Sequence, residues 1–229
     1  MSPHEDTDRL AAASLAAGDP TGWFEQLYAQ AEAGDAAVPW DRPGPSALLV
    51  DWTVQIGWAA RADGAARVDG AGGGRRALVV GCGLGRDAEF LAGLGFATTA
   101  FDISETAVRV ARERHAGSPV DYRVADLLEP PPEWMRAFDL VVESNNVQAL
   151  PRSLRARATA AAGAPVAPGG TLLVLAAAGT SWGEAGPPWP LTRDELSGFA
   201  VGGLRAESVE LIPAVDDPLV TRWRAVFRR

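Results

Sequence analysis

The chain alternates between two kinds of apolar pattern. Ala77-Leu-Val-Val80 is a continuous apolar run with two adjacent valines, which predicts a buried strand. A helix from Ala88 to Leu94 follows and closes at Gly95, and Thr98 to Ile103 reads as the next strand, with Asp102 at its tip. Ser104 then caps a helix running to about His115. Val120 to Val124 alternates as a third strand ahead of Asp126, and Phe138 to Glu143 makes a fourth. Arg152 to Ala162 is helical, and Pro168-Gly169-Gly170 turns the chain into a fifth strand, Thr171 to Ala176. Strands and helices alternating at this spacing imply a parallel sheet with helices on both faces. The tail differs: Leu204 to Ile212 and Thr221 to Phe227 are successive strands joined by Pro213 to Pro218, which pair antiparallel.

Ahead of this core the pattern is helical. Asp19-Pro20 opens a helix whose Trp23, Phe24, Leu27 and Tyr28 share one face, and Gly34 stops it. Residues 39–45 carry three prolines and break regular structure; Pro45 opens a helix bearing Leu48, Leu49, Trp52 and Ile56. Residues 1–18 are Ala-rich and read as a frayed helix or disorder, and residues 61–75 read as a loop into the first strand. The expected organisation is one doubly wound α/β unit. Residues 1–60 form an N-terminal helical cover or lid and 61–229 the core, a mostly parallel seven-stranded sheet with an antiparallel C-terminal pair.

Charge and composition narrow the chemistry. A net charge of −8 argues against nucleic acid or an anionic membrane surface as partner. All 21 basic residues are arginine, which excludes a Schiff-base lysine or a P-loop lysine. Cys82 is the single cysteine, so no internal disulfide or cysteine-rich metal site is expected, and its default role is a small turn residue. No apolar run approaches the length of a membrane span, and the polar, acidic start is unlike a signal peptide, so a soluble, cytoplasmic protein is expected. Oligomeric state is not legible.

Three glycines at alternate positions, Gly81, Gly83 and Gly85, follow the first strand, and Asp87 is placed to cap the next helix. With Asp102 ending the second strand, they read as a site for a nucleotide-type cofactor, the acid suiting a ribose diol. A dinucleotide turn would want glycine at 86, where this chain has Arg86. Asp126 after the third strand and the C-terminal pair complete an arrangement that resembles the class I S-adenosylmethionine-dependent methyltransferases, with their Rossmann-like fold. Pro39-Trp40-Asp41, Gly81 to Asp87, Phe101-Asp-Ile-Ser104, Val147-Gln-Ala-Leu-Pro151 and Val166 to Thr171 are together similar to the thiopurine methyltransferase-like branch, which acts on small molecules.

The resemblance implies S-adenosyl-L-methionine as cofactor. Gly81, Gly83 and Gly85 would hold its methionine end, Asp102 the ribose and Asp126 the adenine, with Cys82, Ile103 and Leu127 also touching the cofactor. Trp40 would cover the cofactor and Glu143 orient cofactor or acceptor. Many class I enzymes carry an acid two positions before the first glycine; Val79 stands there, so the methionine ammonium would be held by backbone carbonyls or by a group from elsewhere, Asp41 being one source.

Methyl transfer from a sulfonium is an in-line displacement that positioning in a dry pocket can drive, and a base is needed only if the acceptor must first lose a proton. His4 and His115 lie in poor places for one. Glu143 and Asn145, after the fourth strand, are the catalytic candidates, with Glu143 otherwise a cap of backbone amides. Asn146, Arg42 and Trp189 are candidates for the acceptor site, and Trp189 and Trp40 both sit in proline-bearing segments suited to a lid or wall. Arg42 and Arg86 can each pair with a carboxylate, solvated surface being the default for Arg86. The expected function is methylation of a small molecule. The rivals are a nucleotide-dependent oxidoreductase and a non-catalytic cofactor-binding scaffold.

Overall fold

The computed structural model describes residues 3–62, 65–68, 72–179, 187–213 and 220–229. Trp182, the connection after Pro213 and the side chain of His4 lie outside the described residues.

Three helices come first: α1 (Pro3–Ala16), α2 (Gly22–Ala33) and α3 (Ala47–Gln55). Residues 1–18 read as a frayed helix or disorder, but Leu10 and Ala11 of α1 are buried against Trp23 and Leu27 of α2, and that small apolar cluster holds α1 in place. Asp19 turns the chain into α2 by accepting from Thr21 N and Gly22 N at 3.1 and 2.8 Å. A hairpin follows, β1 (Ala59–Ala62) with β2 (Ala65–Val68), which overlaps residues 61–75, the stretch read as a loop; its Ala- and Arg-rich sequence carries no alternating pattern that would reveal it.

The sheet is built from β3 (Arg76–Val80), β4 (Ala97–Asp102), β5 (Asp121–Val124), β6 (Phe138–Ser144), β7 (Val166–Ala177), β8 (Arg205–Pro213) and β9 (Thr221–Arg228). Its order is β5-β4-β3-β6-β7-β9-β8. β3 is parallel to both β4 and β6, β7 is parallel to β6, and β9 is antiparallel to β7 and β8. β7 begins earlier than expected: it takes in Pro168-Gly169-Gly170, with Val166 paired to Phe138 and a register shift before Thr171.

Four helices complete the two outer layers: α4 (Arg86–Gly93), α5 (Glu105–Arg114), α6 (Arg152–Gly163) and α7 (Arg193–Ser197). Leu78, Val80, Val141 and Val174 share one core with Ala158 and Ala162 of α6 and Leu196 of α7. Val79, Val142 and Leu173 face the other core with Leu49 and Trp52 of α3, Ala88 and Leu91 of α4, and Val108 and Ala111 of α5. Each such valine or leucine contributes roughly 1.5–3 kcal/mol by leaving water, so the two faces together fix β3 and β6 as the rigid centre. Among the described residues no helix is long and apolar enough to cross a membrane.

Candidate functional site

A cleft of about 440 Å³ opens at the carboxyl ends of β3, β4 and β6. This is where the chain leaves β3 for β4 on one side and later returns to β6 on the other, the usual place for ligands in open α/β sheets. Gly81, Cys82 and Gly83 line its floor. Gly81 has φ +53°, and a Cβ there would lie 1.8 Å from Asn146 Oδ1. Asn146 is pinned in that space because its Nδ2 donates to Val80 O and Ser144 O at 2.8 and 3.1 Å. The glycine is therefore demanded by the protein's own side chain as much as by any ligand.

Gly85, expected beside the cofactor, does not line the cleft. Its φ is +88°, and the missing Cβ leaves room for the Tyr122 hydroxyl, 2.3 Å from where that atom would stand. Tyr122 in turn donates to Glu89 Oε1 at 2.6 Å, so Gly85 serves the packing of α4 on β5. Asp87 does not cap α4, whose N-cap is Gly85 with no side-chain bond. Its Oδ1 instead accepts from Ser46 N at 2.7 Å, joining α4 to the start of α3.

Asp102 is 6% exposed and faces the cleft. Its Oδ2 accepts from Gly83 N at 2.9 Å and its Oδ1 from Ser104 N at 3.0 Å. Burial pushes this carboxyl above its ordinary range, while the backbone N–H groups pull it back. Each oxygen keeps a further lone pair. Ile103, Asp126 and Leu127 line the same wall, and Asp126 is held by Leu128 N, which donates to its Oδ1 at 2.8 Å. Burial pushes the Cys82 thiol well above its ordinary value, which disfavours the thiolate.

The opposite wall is aromatic: Trp23, Phe24 and Tyr28 from α2, with Trp40 after it. Trp40 Nε1 donates to Tyr28 Oη at 2.7 Å, and the two rings meet edge to face at 6.1 Å. Glu25 clamps this cover to α5, accepting from Ser104 Oγ and Thr106 Oγ1 at 2.6 Å each and from Thr106 N at 3.1 Å. Burial raises the Glu25 carboxyl, but these hydrogen bonds outweigh it and leave the group below its ordinary value. Asp41 is paired with Arg114 Nη1 at 3.0 and 2.9 Å and does not line the cleft, so it is not the missing acid for a ligand ammonium. Arg42 lines the cleft. So does Arg86, contrary to its expected place on the solvated surface. Its Nε is buried and has no partner among the described residues.

The segment after β6 supplies the third wall through Ser144, Asn145, Asn146 and Gln148. Glu143, expected to touch cofactor or acceptor, is fully buried behind them and does not line the cleft. Its Oε1 accepts from Asn146 N and Val147 N at 2.6 and 3.0 Å, the capping role. Burial lifts its pKa from 4.5 to about 7. Asn145 takes a left-handed backbone, φ +64°, and its Oδ1 is buried without a partner. Trp189 also misses the cleft, where Pro187 and Pro188 stand instead. Its backbone is tied down, N to Gln148 O at 2.9 Å and O to Arg155 Nη2 at 2.9 Å. The buried Arg155 thus fixes that wall, also pairing with Glu195 at 2.8 Å. His115 Nε2 lies 3.2 Å from Leu84 O, outside the cleft. Among the described residues no cluster could hold a metal ion.

Tyr28, Phe24 and Asp87 were not singled out in the sequence as site residues. Tyr28 and Phe24 lie on the helical face they share with Trp23 and Leu27, and the sequence alone does not say that this face meets a cleft.

Residues 77–170 match a methyltransferase domain family. No curated protein matches the chain. Among solved structures, one from work on conversion of a disulfide bond into a thioacetal group during echinomycin biosynthesis is 26% identical. It covers 90% of this chain and 93% of that one, with a TM-score of 0.66. The Burkholderia thailandensis 1,6-didemethyltoxoflavin N1-methyltransferase, solved with 1,6-didemethyltoxoflavin and S-adenosylhomocysteine, is 16% identical over 100% of this chain and 91% of that one, TM-score 0.66. The N-methyltransferase NodS of Bradyrhizobium japonicum WM9, solved with S-adenosylhomocysteine, is 17% identical over 90% and 98%, TM-score 0.65.

Proposed function

We propose that this chain is an S-adenosylmethionine-dependent methyltransferase that methylates a small molecule held beneath the aromatic cover, a reading its matched domain and its fold support. The observation that carries the reading is the cleft itself. It has the size of a small-ligand site, with the buried Asp102 carboxylate and the glycine turn on one side and Trp23, Phe24, Tyr28 and Trp40 on the other.

The residues present fit the cofactor. Asp102 faces the cleft with a free lone pair on each oxygen, as a ribose diol requires, and Asp126 lies beyond it on the adenine side. Gly81 and Gly83 would underlie the methionine end, and Cys82, Ile103 and Leu127 would contact the nucleoside through van der Waals packing. When bound, the cofactor supplies a methyl group already activated on a sulfonium. The chain's own residues then have three tasks: hold the acceptor in line, exclude water, and leave its nucleophilic atom unprotonated or free to lose a proton. Asn146 and Arg42 are the groups we assign to orienting the acceptor, and Asn145 to the methionine end of the cofactor. All three are poor bases at neutral pH, which favours an acceptor that needs little help, such as a soft thiol or a neutral amine.

We read residues 1–60 as the lid over this cleft and place the chain in the thiopurine methyltransferase-like branch. Support for both comes from Pro39-Trp40-Asp41, whose Trp40 hydrogen-bonds Tyr28 beside Gly83. The test is turnover: the purified protein, S-adenosylmethionine and a panel of small thiols, amines and phenols, followed by mass spectrometry. Methylated product forming in step with S-adenosylhomocysteine supports the reading. Methylation of protein or nucleic acid, with no small acceptor modified, defeats it.

A further inference from the structure

Four buried side-chain polar atoms have no hydrogen-bond partner among the described residues: Arg86 Nε, Glu143 Oε2, Asn145 Oδ1 and Arg229 Nε. Only Arg86 and Asn145 belong to side chains that line the cleft. One is a cationic donor and the other a neutral acceptor, and an orphaned buried group of either kind is costly unless a ligand satisfies it.

Their placement is enforced. Arg86 is the first residue of α4, directly after the glycine turn, and it makes no ion pair among the described residues. Asn145 is fixed by its N, which donates to Leu175 O at 2.8 Å, and its Nδ2 donates to Ser144 Oγ at 3.2 Å, which leaves Oδ1 as the open atom. The neighbouring Asn146 seats this segment against Gly81. The floor from Gly81 to Gly83 therefore has an acceptor at its β6 side and a guanidinium at its α4 side. Val79, which stands where an acid would serve a ligand ammonium, is 2% exposed and packs in the core.

A ligand that carries both a carboxylate and an ammonium would satisfy both atoms. We infer that Arg86 and Asn145 clamp the zwitterionic amino-acid end of the cofactor. Arg86 donates to its carboxylate and Asn145 Oδ1 accepts from its ammonium, in place of an acidic side chain on β3. The assignment rests on the cofactor reading above.

Ligand truncation tests it. Binding of S-adenosylhomocysteine and of 5′-methylthioadenosine, which lacks the amino-acid end, is measured by calorimetry on the full chain and on Arg86→Gln, Asn145→Ala and Asn145→Asp. Arg86→Gln and Asn145→Ala each weaken S-adenosylhomocysteine by roughly tenfold to a hundredfold, the size of a hydrogen bond to a charged group. Both leave methylthioadenosine within about threefold, which also shows that the variants fold. Asn145→Asp binds S-adenosylhomocysteine at least as tightly as the unaltered protein, because a carboxylate faces an ammonium.

Equal losses for both ligands, or none for S-adenosylhomocysteine, overturn the clamp. Asn145→Asp weakening S-adenosylhomocysteine as much as Asn145→Ala overturns the ammonium assignment. If the unaltered protein binds neither ligand, the cofactor reading itself falls.

Discussion

Glu143 acts on the cleft from behind it, through the two backbone N–H groups that its Oε1 accepts. With its pKa raised from 4.5 to about 7, the folded protein keeps a proton that the unfolded chain has released. Stability from this group is therefore full below about pH 4.5 and is lost as pH rises toward 7, by on the order of 3 kcal/mol. Glu143→Gln keeps the accepting oxygen but cannot ionise. Urea unfolding at pH 5 and pH 8 should show the unaltered protein losing more stability than Glu143→Gln over that interval; parallel losses would show that Glu143 does not titrate there. Gly85 gives a second residue-level test. Gly85→Ala places a methyl on the Tyr122 hydroxyl at φ +88° and should cost about 2–4 kcal/mol. Adding Tyr122→Phe should recover roughly 1 kcal/mol beyond additivity, read as a coupling in a double-mutant cycle. Strict additivity would mean that backbone strain alone explains the glycine.

At the scale of elements, Glu25 is the clearest wager. One carboxylate of α2 satisfies two hydroxyls and a backbone N–H at the start of α5, so the cover is tied to the core beside Asp102. Glu25→Ala should destabilise by about 2 kcal/mol and speed dissociation of S-adenosylhomocysteine in stopped flow. Unchanged dissociation would mean that the cover does not gate the cleft. The elements of the core were legible because their signals are local: the run at Ala77–Val80, the alternation before Asp126 and the capping serine at 104 each act within a few residues. What escaped was non-local. Asp87 looks like a helix cap until Ser46, 41 positions away, takes its oxygen. Arg86 looks solvated, yet its side chain lines the cleft and its Nε is buried there. The acid at 143 and the tryptophan at 189 carry the right chemistry on the right segments, yet a half-turn of strand or loop points each away from the cleft. Gly85 reads as part of a ligand turn, yet its left-handed backbone and missing Cβ make room for Tyr122.

For the whole molecule, the strand order determines where chemistry can happen. β3 sits between β4 and β6, so the turns after all three strands converge on one edge, and the N-terminal helices close what the sheet leaves open. Asp102 is the residue on which the cofactor, and hence the methyl-transfer account, depends most. The most direct measurement is calorimetric titration of S-adenosylhomocysteine into the protein and into Asp102→Ala. One-to-one binding that the substitution weakens by roughly tenfold to a hundredfold is the expected result, since a buried diol would lose its charged acceptor. No binding, or equal affinity in both proteins, would contradict the account.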